Sequence, residues 1–420
     1  MVTASVIFVV VYALIVTEKV QRTIAALLGA VIMIIFGFII QEKAIDAIDF
    51  NTLGLLIGMM VMVGITKDTG LFEYLAVKSA KWSKAEPMRI MASLAVITAV
   101  SSAVLDNVTT VLLMVPVTFS ITRALRVKAF PFLMALIFAS NIGGAATLIG
   151  DPPNIMIGSF TSLSFLDFVI NLGPVIIVVQ TLTSFLFYLM YRKQLQVDPE
   201  NQKKIMEMDE REFIKDSHLL SKCLFVLGLT VAGFVLHGFL HLQPATLAIG
   251  GAALLMALTG AKPEKILREV EWPVIFFFIG LFILVGTLEE IGVIKLIAVE
   301  AVKLTQGNLI LTGMTILWLS AIGSAFVDNI PFVATMIPLI NSIGEIGGMD
   351  VGPLWWALAL GACLGGNGTI VGASANVVVA GLAEEKGHHI SFKNYLKIGF
   401  PMMLVSIIVS SVYLYMFYLT

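Results

Sequence analysis

The chain has 420 residues, 58% of them apolar and 13% charged, against roughly 45–50% and 25% in soluble domains, which excludes a string of soluble domains and puts most of it in lipid. Its 26 basic and 28 acidic residues nearly cancel, so no net field recruits nucleic acid. Cys223 and Cys363 stand alone in apolar stretches, which excludes a disulfide framework or cysteine metal site; no structural metal, cofactor or catalytic group is expected.

The first apolar stretch, 3–17, has no base before it and no A-x-A motif after it. It reads as a membrane helix rather than a cleaved leader, slightly short of the ~20 residues a bilayer usually needs. Apolar stretches follow at 22–40 and 52–66. Residues 67–84 set Leu71, Tyr74, Leu75 and Trp82 among lysines, the pattern of a helix lying in an interface. Stretches 90–105 and 108–122 abut with only Asp106-Asn107 between them, flanked by Ser101, Ser102, Thr109 and Thr110. Two half-length helices with a polar tip predict a re-entrant hairpin over 90–122, because irregular backbone survives at membrane depth only where it lines a cavity. Stretch 129–160 contains Gly143-Gly144, Gly150 and Pro152-Pro153. Each glycine costs ~1 kcal/mol and each interior proline ~3 relative to alanine, so this span is a broken helix. Stretch 165–191 completes the set, and the charge-rich interval 192–217 reads as a solvated linker.

The second half repeats the first. Adding 222 to a position recovers the same residue at Gly58/Gly280, Ser102/Ser324, Asp106/Asp328, Asn107/Asn329, Gly143/Gly365, Gly144/Gly366, Thr147/Thr369, Gly150/Gly372 and Asn154/Asn376. The repeat predicts a second hairpin over 310–343 and a second broken helix over 352–381. Five crossings plus one hairpin is an odd number, so the second unit enters from the opposite face. The expected fold is an all-α integral membrane protein with an inverted-topology repeat, five transmembrane helices plus one re-entrant hairpin in each copy, and helices broken at the midplane.

Loop charge agrees with that topology. With both termini outside and the linker cytoplasmic, 23 of the 26 bases, Arg22 among them, fall on the inner side and only Lys43, Lys295 and Lys303 outside. This positive-inside bias suits a plasma or inner membrane. It leaves every base in a loop or at a helix end. Among the acids, Asp106, Asp328 and Asp151 alone map to bilayer depth, where a carboxylate costs about 2.5–3.5 kcal/mol on insertion scales. With no base assigned to that depth, their expected partners are a proton, a metal cation or a polar substrate. Capping of a half-helix is the ordinary alternative role for each. Asp151 lacks a symmetric mate, since Ala373 takes its place.

The second constellation is GGAATLIGDPPN, from Gly143 to Asn154, and GGNGTIVGASAN, from Gly365 to Asn376. Opening the helix at Gly143, Gly144, Gly150, Gly365, Gly366 and Gly372 frees backbone groups to coordinate a cation or bind a substrate. Asn141, Thr147, Asn154, Asn367, Thr369 and Asn376 add side-chain donors and acceptors. Close helix packing explains isolated glycines such as Gly58 and Gly64 equally well, but not the Asn and Thr. The candidate binding set is therefore these six residues with Asp106, Asn107, Asp151, Asp328 and Asn329.

DNVTTVLLMVP, NIGGAATLIGDPPN, VDNIPFVATMIP and GACLGGNGTIVGASANVVVAG resemble the ArsB/NhaD group of the ion transporter superfamily, nearest its P-protein-like branch. The resemblance covers essentially the whole chain. It implies a secondary transporter, often a homodimer, that moves its substrate by an elevator motion. It also implies a scaffold of 1–84 and 218–305 and a transport part of 85–191 and 306–420, joined by amphipathic arms at 67–84 and 289–305. Relatives that carry dicarboxylates have Ser-Asn-Thr at the tips, where this chain has Asp for Ser, which argues against a di- or tricarboxylate. At ~6 Å two like charges repel by several kcal/mol at an effective dielectric near 20. The favoured expectation is proton- or sodium-coupled movement of a small inorganic ion or metalloid, arsenite- or antimonite-type efflux first. Sodium/proton antiport is the next alternative, followed by an anion or carboxylate transporter. A passive channel and an intramembrane aspartyl protease are remote: Gly150-Asp151 follows Leu148-Ile149, not the G-x-G-D the protease requires.

Overall fold

A computed structural model describes residues 1–17, 19–161 and 163–420. Among them the secondary structure is entirely helical. The first repeat comprises α1 (Val2–Thr17), α2 (Arg22–Ile35), α3 (Gln41–Asp46), α4 (Phe50–Lys67), α5 (Leu71–Trp82), α6 (Pro87–Val104), α7 (Asn107–Leu125), α8 (Phe130–Gly144), α9 (Pro152–Thr161) and α10 (Phe165–Tyr191). The linker carries α11 (Pro199–Glu207) and a 3-10 turn, Glu210–Phe213. The second repeat follows as α12 (Ser217–Leu240), α13 (Pro244–Thr259), α14 (Pro263–Ile266), α15 (Trp272–Glu290), α16 (Val293–Thr305), α17 (Leu309–Phe326), α18 (Asn329–Gly347), α19 (Gly352–Gly365), α20 (Ser374–Glu385) and α21 (Phe392–Phe417). Nine of these helices are long and apolar enough to cross a membrane.

The two hairpins are α6–α7 and α17–α18, and the two broken helices are α8–α9 and α19–α20. Asp106 and Asp328 occupy the N-cap positions of α7 and α18, so each tip is a helix start whose free N–H groups need an acceptor. The halves interlock rather than sit side by side. Helix α4 packs on α13 and α15 on α2, while α9 packs on α18 and α20 on α7. Close approach makes glycine necessary at the first crossings: a Cβ on Gly58 would lie 2.7 Å from the Ala248 carbonyl oxygen, and one on Gly280 2.9 Å from that of Ala26. The broken helices press on their own hairpins in the same way, Gly143 against the backbone of Ala99 and Gly365 against that of Ala321.

Two expectations need correction. The linker is not a freely solvated tether. Ile205 is fully buried and Asn201 nearly so, and α11 packs on α5 and α7. Lys81 donates to the Met208 carbonyl at 2.9 Å and to Glu210 at 2.5 Å, and the Lys215 amide donates to the Thr69 carbonyl at 3.0 Å. Burying Ile205 is what makes docking favourable for a segment otherwise charged.

The second correction concerns Arg22. It stands at a helix end as expected, but it supplies a base to one of the acids expected to have none: its Nη1 lies 2.8 Å from Asp328 Oδ2. The physical reason is helix length. Helix α2 has 14 residues and so spans about 21 Å, short of a ~30 Å hydrocarbon core. Its first residue is half-buried, with 28% of the side chain exposed, and within reach of the second hairpin tip.

Candidate functional site

Each tip closes on itself first. Asp106 accepts from the Thr109 amide at 2.8 Å and from the Thr109 hydroxyl. Asp328 accepts from the Ile330 amide at 3.1 Å, but Pro331 stands where the repeat would place a second threonine. Its other oxygen is free to accept from Arg22 Nη1 at 2.8 Å and Ser374 Oγ at 2.9 Å, and Arg22 also donates to Ser374 Oγ at 2.8 Å. The two aspartates are thus equivalent in sequence and different in charge environment. The ion pairs among the described residues give Asp328 a base and none to Asp106 or Asp151.

Asp151 sits where the two repeats meet. It is wholly buried, just before α9. Its Oδ1 accepts from Asn107 Nδ2 and Asn329 Nδ2, both at 3.3 Å, and its Oδ2 accepts from Asn329 Nδ2 at 3.3 Å. One carboxylate therefore bridges both tips. Asn107 Nδ2 also donates to Asn141 Oδ1 at 3.2 Å, and Asn141 Nδ2 donates to Asn367 Oδ1 at 3.0 Å and Asn376 Oδ1 at 2.9 Å. This chain of buried amides runs through the centre, and Asn367 Nδ2 has no hydrogen-bond partner among the described residues.

The remaining candidates hold the opened backbone. Asn154 Nδ2 donates to the carbonyls of Ala145 at 3.2 Å and Thr147 at 2.8 Å, and Asn376 Nδ2 to those of Gly366 at 2.7 Å and Thr369 at 2.9 Å. The hydroxyls of Thr147 and Thr369 donate to the hairpin carbonyls of Ala103 and Ala325. Gly144 and Gly150 approach each other closely, as do Gly366 and Gly372. These contacts satisfy carbonyls that a broken helix leaves unpaired. Cys363 lies beside the site, its Sγ 3.6 Å from Asn154 Oδ1.

A cavity of about 110 Å³ opens onto this centre, lined by Asp106, Asn107, Asp151 and Asn329 together with Arg22, Glu271 and Ser374. That is room for several waters or a small ion with part of its shell. Sequence reasoning missed Arg22, Ser374 and Glu271. The usable signal was in the repeat, where Arg22 pairs with Pro244 and Ser374 with Pro152: polar residues opposite prolines mark positions at which the two copies have diverged.

The sequence profile described as citrate transporter, CitMHS, matches residues 12–361. The chain belongs to the citrate transporter family. As a member it is a multi-pass membrane transporter. The chain is 43% identical to the 46 kDa membrane protein of Mycobacterium leprae over 421 residues, 98% of each chain. It is 35% identical to the human P protein over 489 residues, covering 96% of this chain and 58% of that protein. Among solved structures it resembles the YdaH transporter of Alcanivorax borkumensis with a TM-score of 0.60 at 15% identity, covering 89% of this chain and 86% of that one; this is a likeness of fold. The family relationship and the P protein similarity support the ArsB/NhaD-type superfamily.

Proposed function

We propose that this citrate transporter family member is a secondary active transporter that moves a small inorganic ion or metalloid, arsenite- or antimonite-type efflux first, coupled to protons or sodium. The observation that carries the reading is Asp151. It is fully buried, is contacted by the amides of both hairpin tips, and has no base. An uncompensated buried carboxylate is costly, and a mobile cation or proton relieves that cost at the place where both repeats converge. Asp106 adds a second carboxylate to the same cavity. The amides of Asn107, Asn329, Asn141 and Asn367 supply donors and acceptors for a neutral hydroxide such as arsenous acid. Asn154, Asn376, Thr147 and Thr369 keep the opened backbone in place.

In this reading 1–84 and 218–305 form the scaffold, 85–191 and 306–420 the moving part, and the cycle is an elevator motion, run by a homodimer in the plasma or inner membrane. The linker then lies in the cytoplasm and the termini outside.

Arg22 gives a second reading some weight. It is a base on the cavity, and the family's description names citrate, so a carboxylate anion has one counter-charge available. Asp106, Asp151, Asp328 and Glu271 outnumber it. Sodium/proton antiport needs only the carboxylates. Purified protein in proteoliposomes, with imposed proton and sodium gradients and arsenite, sodium and citrate offered side by side, tests these readings. Gradient-driven arsenite movement is expected. Citrate accumulation with no arsenite flux would overturn the metalloid reading, and flux of any solute that never exceeds its own gradient would overturn secondary active transport.

A further inference from the structure

Arg22 belongs to α2, whose neighbours tie it to α15: the Thr23 hydroxyl donates to the Pro273 carbonyl at 2.8 Å, and the Arg22 guanidinium stands 5.4 Å from the centre of the Phe277 ring. Its charged end reaches across to the other helix set. There it holds Asp328, at the tip of one hairpin, and Ser374, the first residue of α20. No equivalent exists at the other tip, where Pro244 and Pro152 occupy the matching positions and Asp106 is closed by Thr109. The pair is only partly buried, with 28% of the Arg22 side chain and 14% of that of Asp328 exposed. Arg22 and Ser374 line the cavity that holds Asp106 and Asp151, and Glu271, just before α15, lines it too. A base in that position competes with any cation for Asp328.

We propose that Arg22 is an exchangeable counter-charge: it latches the second hairpin tip to α2 and α15 while the site is empty, and is displaced when a coupling cation or proton neutralises Asp328. This rests on the carrier reading above. The latch makes the empty carrier reluctant to leave the state in which the cavity opens beside Arg22 and Glu271. Displaced from Asp328, the guanidinium keeps Glu271 as an acidic neighbour on the same wall. Arg22 is thus a positioning residue that sets when the moving part is free.

The test needs no transported solute. Val378 lines the same cavity. With Cys223 and Cys363 replaced by alanine, Val378→Cys reports access when a membrane-impermeant maleimide is applied to vesicles from the face bearing the linker. In choline buffer at alkaline pH the parent should label rapidly. Sodium or acid, whichever acts as coupling cation, should slow labelling at least about ten-fold, the low end of what close charge pairs contribute. Arg22→Gln should label slowly in every buffer, and Arg22→Lys should behave as the parent. The double variant Arg22→Gln/Asp328→Asn, which leaves no orphaned carboxylate, covers the case in which Arg22→Gln does not accumulate; it too should label slowly and ignore both cations. Parental labelling in either variant overturns the latch, and so does a parent indifferent to both sodium and acid. Because cargo plays no part, a failed latch leaves the carrier reading standing, and failed transport in the proteoliposomes leaves the labelling result intact.

Discussion

Asp151→Asn separates folding from transport most sharply. Both tip asparagines reach Oδ1 at 3.3 Å, so an amide oxygen in that place keeps two contacts. Only the Asn329 contact to Oδ2 at 3.3 Å is lost, about 1 kcal/mol for a neutral hydrogen bond. Removing a buried charge offsets that loss, so the variant should melt within about 1 kcal/mol of the parent, or above it. Function should respond differently. A monovalent cation ~4 Å from a carboxylate gains about 4 kcal/mol at an effective dielectric of 20, which is roughly a thousandfold in affinity. Thermal unfolding in detergent, paired with gradient-driven flux in proteoliposomes, measures both quantities. Full coupled flux in Asp151→Asn, or a loss of more than ~3 kcal/mol in stability, would refute the assignment of Asp151 as a binding group held for use rather than for folding.

The two tip aspartates should not behave alike. Asp106→Asn keeps a capping side chain, whereas Asp328→Asn also takes the ion-pair partner from Arg22, which keeps Ser374, so the second should be the less stable by about 1 kcal/mol while both lose coupled flux; equal melting would contradict the asymmetry. Gly143→Ala places a Cβ 2.2 Å from the Ala99 carbonyl oxygen and should destabilise by about 1–3 kcal/mol, while Gly173→Ala, which meets nothing within 4 Å, should be neutral or stabilising in the same melting assay. The hydrogen bond and charge from Lys81 hold the Glu210 carboxyl below its ordinary range. A lowered folded value means the contact is present at neutral pH and is lost as pH falls through that value. Protection of the linker amides, taken relative to the intrinsic exchange rate at each pH, should therefore fall on acidification in the parent and be low already at neutral pH in Glu210→Gln; matching protection profiles would remove Glu210 from the linker's attachment.

The repeat, the hairpins and the breaks were legible because they rest on residue types with strong backbone consequences. Asp-Asn between two apolar runs, and paired glycines followed by Pro152-Pro153, leave little choice of conformation, although the hairpin arms, 18 residues in α6 and α17 and 19 in α7 and α18, are longer than half-length runs. The environments of Asp106 and Asp328 were not legible, since an internal repeat equates positions and the difference comes from Arg22, 306 residues away from Asp328. A positive-inside count adds Arg22 to Lys19 as equivalent bases, yet the Arg22 side chain reaches back to the second hairpin tip. The linker misled for a similar reason: its composition is that of a solvated segment, and a few buried residues, Leu195 and Ile205 among them, with the contacts of Lys81 and Lys215, anchor it. The candidate binding residues came from the hairpin tips and the opened spans, and only coordinates sort Asn107 and Asn329, which reach Asp151, from Asn154, which serves backbone carbonyls.

The crossing of α9 onto α18 and of α20 onto α7 bears on how the protein is made. A ribosome delivers residues 1–191 to the bilayer before any of the second repeat exists, so Asp151 first enters lipid with Asn107 beside it and Asn329 still untranslated. The early half must wait, incompletely satisfied, for its mate. Neither half alone is a finished object, and two separately encoded fragments should yield stable protein only when synthesised together in the same membrane.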